Sequence, residues 1–496
     1  MKKIVTLLLA AGLMLGGTTA AKAVDINMSG EFVFTGAFTS MSGNEQDRDG
    51  YASTQNNSFY QRFRAQVDIT ASEALNGVVM FEIGDSVWGK SNNAAGRGAG
   101  NGIGGDGISI EVKRAYLDWI PPHTDLKIRM GLQGFATPTF VQGSSQIFDD
   151  DIAGITLNYA FTPNVAMTAW WFRPYSDDSA NYATAGTRIA GRSWNEMDMF
   201  GLAIPLTFDG VKVTPWGMYA AIGRDSFTGY AGPTAQAHRN NMVPRWLGAA
   251  AMPTATDGQG NGWWLGLTGE ITAWNPFRLA FDFNYGNVDM GNIAGTSVDL
   301  QRSGWYFSLL AEYKLDFMTP GLAFWYASGD DDDASDGSEM MPTIKASSKL
   351  TSFGQDGAGF NTPGAAFQTS LTGTWGLMLQ LKDISFVEDL THTFRIAYYR
   401  GTNDSDLVRD GRRAGLAPTP WLNTNNHGGG ADFYMTDDDS AWEINLDSSY
   451  QIYKNLSLGV QLGYVRLNFD DDTWGRAVEN NVDDMYKIAI GLRYTF

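Results

Sequence analysis

Apolar and polar residues alternate along most of the chain with a period of two. In the segment INMSGEFVFTGAF, most large apolar side chains fall on one face of a strand, and polar or small side chains fall on the other. The same alternation recurs in FRLAFDFNYG, AWEINLDSSYQIY and NLSLGVQLGY. A period of two over this many residues predicts β-strands. We therefore expect an all-β protein.

Connections of two lengths separate the predicted strands. Short turns, such as NP at 275–276 and YKN at 453–455, alternate with much longer links. The long links lie at about 40–57, 88–107, 135–152, 174–193, 224–261, 287–302, 330–365, 402–438 and 470–483. Short periplasmic turns and long external loops are typical of an outer-membrane barrel. Nine long loops and eight short turns predict 18 strands, with 16 as the alternative if a pair is lost near 193–223.

Alternation alone does not separate a membrane barrel from a soluble β-sandwich or β-propeller, whose apolar faces point into a packed core. Aromatic residues sit near strand ends, as at Trp119, Trp274 and Tyr453, where the interfacial girdles of a membrane barrel lie. The polar faces carry Arg, Glu and Gln among Gly and Ala, which suits a wet interior. Both features favour a transmembrane antiparallel β-barrel.

The beginning of the chain has the layout of a secretory signal peptide. Two lysines precede a short apolar run, and the small-residue site Ala-Lys-Ala ends at residue 23. The sequence therefore predicts a cleaved signal peptide at 1–23 and a single barrel domain at 24–496. No later segment is long and apolar enough for a membrane-spanning helix.

The chain ends in YKIAIGLRYTF, which places Tyr494 and Phe496 on the apolar face of the last strand. In a barrel this strand must pair with the first one, since two unpaired edges in lipid would be costly. The ending resembles the terminal signature of bacterial outer-membrane proteins, which the barrel-assembly machinery is thought to read. The resemblance implies that Phe496 and Tyr494 form an assembly signal.

The composition excludes several classes of site. The chain has no cysteine, which rules out disulfides, a thiolate nucleophile and cysteine-bound metals. Its 54 acidic residues outnumber 35 basic ones, which argues against nucleic acid as a partner. The four histidines lack metal-ligand spacing, and the glycine run GRGAGNGIGG precedes a strand-like segment instead of the helix that a dinucleotide site needs. We expect no catalytic, cofactor-binding or metal-binding residues, and no enzymatic activity.

Acidic runs occur in three of the predicted external loops. They are Asp330–Asp333, Asp437–Asp439 and Asp470–Asp472. Carboxylates at the outer rim could hold Mg²⁺ or Ca²⁺ against lipopolysaccharide, because hard cations favour oxygen ligands. A solvated acidic rim needs no such ion, and we favour it. Outer-membrane lipid and lipopolysaccharide are the partners expected around the barrel.

Arginines recur on the polar faces of the second, fourth and fifth predicted strands. The alternation places four of them inside the barrel, namely Arg62, Arg64, Arg114 and Arg129. The link at 135–152 then ends in three successive aspartates, Asp149, Asp150 and Asp151. The consistent position of the four arginines on the polar face favours a channel lining over scattered surface charges.

This order of arginines and an acidic loop resembles the general-diffusion porin family. RAYLDW followed by KIRMGLQGFATP looks like the family's fourth and fifth strands. The resemblance implies that the loop near 135–152 folds into the lumen, with its carboxylates facing the arginines on the opposite wall. Across its length the chain most resembles the homotrimeric outer-membrane porins of sulfate-reducing bacteria. The implied pore constriction contains Arg62, Arg64, Arg114, Arg129, Asp149, Asp150 and Asp151.

The sequence therefore predicts a homotrimeric porin in the outer membrane of a Gram-negative bacterium. It would allow passive diffusion of ions and small hydrophilic solutes. Asp149, Asp150 and Asp151, together with the acidic outer loops and the excess of acidic residues, predict a weak cation preference. The alternative is a substrate-specific 18-stranded channel for a sugar or a small organic anion. Inward aromatics that could form a sugar track are Tyr116, Trp264, Tyr306 and Tyr399. An outer-membrane barrel enzyme would need a catalytic constellation that the sequence does not offer.

Overall fold

The structure is a computed structural model. It describes residues 24–45, 52–89, 110–176, 196–223, 241–245, 259–292, 299–354, 370–413, 425–426, 430–431, 434–476 and 484–496. The signal peptide predicted at 1–23 lies outside the described residues.

Long strands make up most of the described chain. In chain order they are β1 (Asp25–Glu45), β2 (Ala52–Ser72), β3 (Leu75–Val87), β4 (Ile110–Trp119), β5 (Lys127–Ala136), β6 (Asp149–Ala160), β7 (Ala166–Ser176), β8 (Glu196–Ala203), β9 (Leu206–Phe208), β10 (Val211–Ile222), β11 (Gly260–Ile271), β12 (Phe277–Asn292), β13 (Asp299–Tyr313), β14 (Thr319–Ala327), β15 (Thr374–Val387), β16 (Leu390–Gly401), β17 (Asn425–Asn426), β18 (Gly430–Ala431), β19 (Ser440–Tyr453), β20 (Leu456–Asn468) and β21 (Met485–Thr495). Two helices, α1 (Ser405–Arg413) and α2 (Asp471–Trp474), lie in loops. No helix in the described part of the chain has the length and apolar character needed to span a bilayer.

All strands except β17 and β18 belong to one antiparallel sheet, which closes on itself because β1 pairs with β21. β8 and β9 both pair with β10 and form one strand that is interrupted at Ile204 and Pro205. Proline has no N–H to donate to a ladder, which is a local reason for the interruption. Counting β8 and β9 together gives 18 strands, so the predicted barrel is confirmed with 18 strands instead of 16.

The two faces of the strands differ as the alternation predicts. In β21, the side chains of Ile488 and Ile490 are 50% and 51% exposed on the outer face, where lipid would cover them. Lys487 and Ala489 point inward and are buried.

The short turns follow β2, β4, β6, β9, β11, β13, β15 and β19, and the longer links connect the opposite strand ends.

Phe496 lies on the seam where β1 meets β21. Its N–H donates to the carbonyl of Gly30 at 3.1 Å, and its own carbonyl accepts from the Gly30 N–H at 3.0 Å. Its ring centroid lies 6.1 Å from Phe32, 6.2 Å from Phe63 and 6.1 Å from Tyr494. The residue therefore extends the closing ladder and joins an aromatic cluster on the outer face.

Deletion of Phe496 should lower the yield of folded barrel. It removes two backbone hydrogen bonds and several aromatic contacts from the seam, each worth about 1 kcal/mol. The fraction with heat-modifiable mobility on gels measures the effect. Phe386→Ser, which alters an exposed aromatic residue far from the seam, is the control and should leave the yield unchanged. An unchanged yield after deletion of Phe496 would argue against a role in closure or assembly.

Two long links turn into the barrel instead of leaving it. The β5–β6 loop (137–148) and the described part of the β14–β15 loop (328–354) contribute apolar side chains to one buried cluster inside the barrel, including Val141, Ile147, Met341, Ile344 and Phe353. The loops also pair with each other. The N–H groups of Ile344 and Lys345 each lie 3.0 Å from the Ile147 carbonyl, and Asp149 N–H donates to Lys345 O at 2.9 Å. Mutual pairing satisfies backbone groups that would otherwise be buried without partners.

Candidate functional site

The β5–β6 loop is fastened to the inner face of β12, well away from its own strands along the wall. The buried carboxylate of Asp282 accepts hydrogen bonds from Thr139 Oγ1 at 2.7 Å, Phe140 N at 2.8 Å and Val141 N at 3.1 Å. Arg278 Nη2 donates to the Phe140 carbonyl at 2.8 Å. These contacts carry the loop across the interior and narrow the space left for a solute.

The β14–β15 loop is fastened near its beginning by Arg302 of β13. This fully buried guanidinium donates to the carbonyls of Met340 at 3.1 Å, Met341 at 2.9 Å and Val243 at 3.4 Å. The indole of Trp264 adds a hydrogen bond to the carbonyl of Pro342 at 2.9 Å. A buried arginine is tolerated here because carbonyl acceptors surround it.

The same loop is also fastened further along, to β19 and β21. Gly354 N donates to Glu443 Oε1 at 2.8 Å, and Ser352 N donates to Asn445 Oδ1 at 3.2 Å. Lys487 Nζ donates to the Ser352 carbonyl. The loop therefore crosses the interior between distant parts of the wall. Its length predicts an external loop, although the apolar residues in MMPTI and LTSF indicate that part of it is buried.

A first cavity of about 430 Å³ lies between the β14–β15 loop and the wall formed by β2, β4, β5 and β6. It is lined by Arg64, Lys113, Arg114, Gly134, Phe135, Ala136, Asp149, Asp150, Asp151, Ser347 and Lys349. Five of the seven residues predicted for the constriction are therefore brought together here. The other two, Arg62 and Arg129, do not line this cavity.

Ion pairs connect charged side chains along the inner wall beside this cavity. Glu31 on β1 lies 3.3 Å from Arg62, 3.5 Å from Arg64 and 3.4 Å from Arg493. Arg64 also pairs with Glu82 on β3 at 2.5 Å. The carboxylates of Glu31, which the alternation places on the polar face of β1, and of Glu82 thus interleave with the predicted basic strip.

The chain of ion pairs continues from Glu82 to β4 and β6. Lys113 lies 3.8 Å from Glu82 and 2.7 Å from Asp151, and Arg114 Nε also lies 2.7 Å from Asp151. Lys113 and Arg114 both reach the lumen because the ladder between β3 and β4 is shifted by one residue at this point. Such a bulge re-aims side chains. Strict alternation would point Lys113 at the lipid, so the sequence analysis missed it.

The predicted arrangement of aspartates opposite the arginines is wrong. Asp149, Asp150 and Asp151 are the first residues of β6, and Asp151 forms ion pairs with Lys113 and Arg114 on the same part of the wall. Arg129 instead forms a bidentate pair with Asp118, at 2.7 and 2.9 Å, and stacks over the ring of Tyr116. The assignment of all seven residues to the pore constriction remains a prediction.

A second cavity of about 410 Å³ is lined by both basic and apolar residues. Its basic lining residues are Arg278, Lys349, Lys382 and Arg395, and its apolar ones include Phe140, Leu310, Leu350 and Met378. Arg278 and Lys382 share Glu312 at 2.8 and 2.5 Å. Arg395 pairs with Asp447 at 2.5 Å. These carboxylates hold the cationic groups in fixed positions along the wall.

Comparisons with known proteins bear on the fold. No family model matches the chain, and no curated protein matches it. Pseudomonas aeruginosa OpdK, solved with vanillate, is 10% identical over 95% of this chain and 98% of that chain, with a TM-score of 0.50. The chain shares the barrel fold of OpdK. Pseudomonas aeruginosa OprD is 14% identical over 97% and 98% of the two chains (TM-score 0.47), and Acinetobacter baumannii OccAB3 is 11% identical over 95% and 99% (TM-score 0.48).

Three of the aromatics proposed for a sugar track are buried in this barrel. Trp264, Tyr306 and Tyr399 are at most 1% exposed, and the loops and neighbouring wall residues cover them. Tyr399 donates its hydroxyl hydrogen to Glu443 at 2.5 Å. Tyr116 lies beneath Arg129. A sugar could not stack on the three buried rings, so the predicted aromatic track is wrong for them.

The acidic external runs are only partly a solvated rim. Asp330 is buried and accepts a hydrogen bond from the Tyr434 hydroxyl at 2.7 Å. Asp439 is buried between two loops and accepts hydrogen bonds from Thr436 N at 2.7 Å and Trp474 Nε1 at 2.8 Å. Burial raises the pKa of Asp439 to about 6. The rim interpretation is therefore wrong for these two carboxylates, which tie loops together.

Proposed function

We propose that the protein is a porin of the Gram-negative outer membrane that passes small hydrophilic solutes and favours small organic anions. The closed barrel with an apolar outer face and a polar lumen supports passive passage across a bilayer. The two loops that cross the lumen support selectivity over unrestricted general diffusion. In this proposal a cleaved signal peptide at 1–23 directs export, and the barrel-assembly machinery and lipopolysaccharide are the partners of insertion.

The second cavity is the observation that carries this proposal. Arg278, Lys349, Lys382 and Arg395 line it, and none of its described lining residues is a carboxylate. Charges of one sign in a passage with low-dielectric walls raise the local concentration of counter-ions. Apolar lining residues, of which the partly exposed Phe140 is one, offer contact to the carbon skeleton of a solute. A small carboxylate with an apolar body matches both kinds of lining residue.

The expected cation preference no longer has support from the three aspartates. Asp151 pairs with two basic groups at 2.7 Å, Asp149 lies 3.8 Å from Lys349, and Asp150 lies 4.0 Å from Lys345. Paired carboxylates contribute little net field to the passage. The basic groups of the second cavity are paired as well, but the carboxylates that hold Arg278, Lys382 and Arg395 do not line the cavity. The charged groups that a solute meets there are therefore cationic and favour anions, in spite of the acidic balance of the whole chain.

Benzoate should reduce the single-channel KCl current in a saturable manner. Glucose, which is neutral, and benzylammonium, which has the opposite charge on a similar ring, should have much weaker effects. Lys382→Gln should weaken the block by benzoate about twofold to fivefold, the range expected for one partly exposed charge. Lys314→Gln, in a short turn next to β13, is the matched control. Equal effects of benzoate and benzylammonium would refute anion preference.

We propose a homotrimer that forms through the outer face of β1. Phe32, Phe34 and Phe38 are all exposed there, and large exposed apolar side chains in a row suit a protein interface as well as lipid. Native mass spectrometry in mild detergent should give three times the chain mass. Replacing Phe34 and Phe38 by leucine keeps the face apolar and should weaken the trimer. A monomer as the sole species of the unaltered protein would contradict the proposal.

A further inference from the structure

Among the residues that the structure describes, Lys349 is the one charged residue that lines both cavities. It lies on the β14–β15 loop, and its backbone N–H donates to Gln142 Oε1 at 3.0 Å. The same oxygen accepts a hydrogen bond from Ser348 Oγ at 3.2 Å. The buried amide of Gln142 therefore fixes the backbone at this point, while the Lys349 side chain stays 41% exposed to the passage.

The partner of Lys349 inside the passage is Asp149. Its carboxylate lies 3.8 Å from Lys349 Nζ, and both side chains are partly exposed. Asp149 is held in place because it begins β6 and donates its N–H to the Lys345 carbonyl at 2.9 Å. The contact is longer than those of Asp151, whose carboxylate lies 2.7 Å from both Lys113 and Arg114. A solute can reach Lys349 from either cavity and Asp149 from the first one.

We propose that Lys349 is a specificity-determining residue of the passage and that Asp149 competes with the solute anion for its ammonium group. The inference rests on the proposed anion preference. An anion that moves between the cavities must come close to Lys349 and replace Asp149 as its partner. When the anion leaves, Asp149 returns to the ammonium group and helps to release it. The pair thus sets how strongly the channel holds an anion between the two cavities.

The proposal predicts opposite effects for the two members of the pair. Lys349→Gln removes the binding charge and should weaken the block by benzoate about twofold to fivefold. Asp149→Asn removes the competitor and should strengthen the block by a similar factor. In the double variant, the asparagine should bring no gain, because no ammonium group remains to be released. Lys345→Gln removes a lysine of the same loop that lines neither cavity and is the matched control.

A chemical version of the test uses the absence of cysteine from the chain. Lys349→Cys gives a channel with a single thiol, which can be modified after insertion into the bilayer. A positively charged methanethiosulfonate reagent should restore the block by benzoate, and a negatively charged one should abolish it. This variant retains its value even if Lys349→Gln lowers the yield of folded barrel.

Effects of the two variants in the same direction would overturn the inference. If Lys349→Gln and Asp149→Asn both weaken the block, or if the two reagents act alike, the pair only braces the loop. If benzoate fails to block even the unaltered channel, the proposed function fails instead, so the two failures are distinguishable. Opposite shifts that vanish in the double variant support the inference.

Discussion

Replacement of Asp282 by alanine should open the passage and raise the single-channel conductance. Asp282 accepts hydrogen bonds from Thr139, Phe140 and Val141, which fasten the β5–β6 loop to β12. A hydrogen bond to a charged group contributes about 1.5–3 kcal/mol. Even a net loss of about 3 kcal/mol would raise the population of the detached loop about a hundredfold. Recording in planar bilayers at high KCl concentration measures the change.

The control for this prediction lies on the same strand. Asp289→Ala removes the same charge from the outer end of β12, where Asp289 accepts only a local hydrogen bond from Gly291 N among the described contacts. It should leave the conductance unchanged. A conductance of Asp282→Ala equal to that of the unaltered channel would mean that the β5–β6 loop does not limit the passage.

Replacement of Arg302 by methionine should release the β14–β15 loop and make it a substrate for trypsin. The guanidinium donates to three carbonyl groups, and each buried carbonyl left without a donor costs about 1–3 kcal/mol. Lys345 and Lys349 lie beyond this anchor and are held by contacts with the β5–β6 loop. Cleavage requires an extended segment, so a released loop should be cut at these lysines.

Mass spectrometry of the tryptic fragments from folded barrels identifies the cut. Arg173→Met is the matched control, since Arg173 is a partly exposed arginine that pairs with Asp198 at 2.8 Å. It should leave the loop resistant to trypsin. If Arg302→Met is equally resistant, the anchors at Glu443, Asn445 and Lys487 hold the loop without Arg302.

The strand pattern could be predicted because it is a local property. A strand with one face in lipid and one face in water must alternate, and this requirement repeats in every strand of the wall. The strand count follows from the number of turns, and even the weak region near 193–223 fits once Pro205 is seen to interrupt one strand. Bulges break the local rule. The shift beside Lys113 moved one basic residue into the lumen without any change in composition.

The passage itself depends on contacts between distant parts of the chain. Asp282 is separated from Phe140 by 142 positions, and Gln142 from Lys349 by 207 positions. The local alternation of apolar and polar residues carries no information about such distant pairs. The sequence therefore predicted which residues face inward, including Arg64, Arg114 and Asp151, but it could not predict their partners. It also could not predict that Trp264 and Tyr399 would be covered by a loop.

The zero-current potential of the unaltered channel across a KCl gradient tests the central claim most directly. K⁺ and Cl⁻ move almost equally fast in water, so the sign of the potential reports which ion the passage favours. The basic lining of the second cavity predicts the sign of an anion-selective channel, with a larger effect at low salt, where screening is weak. A potential of the opposite sign, growing as the salt is diluted, would contradict the account.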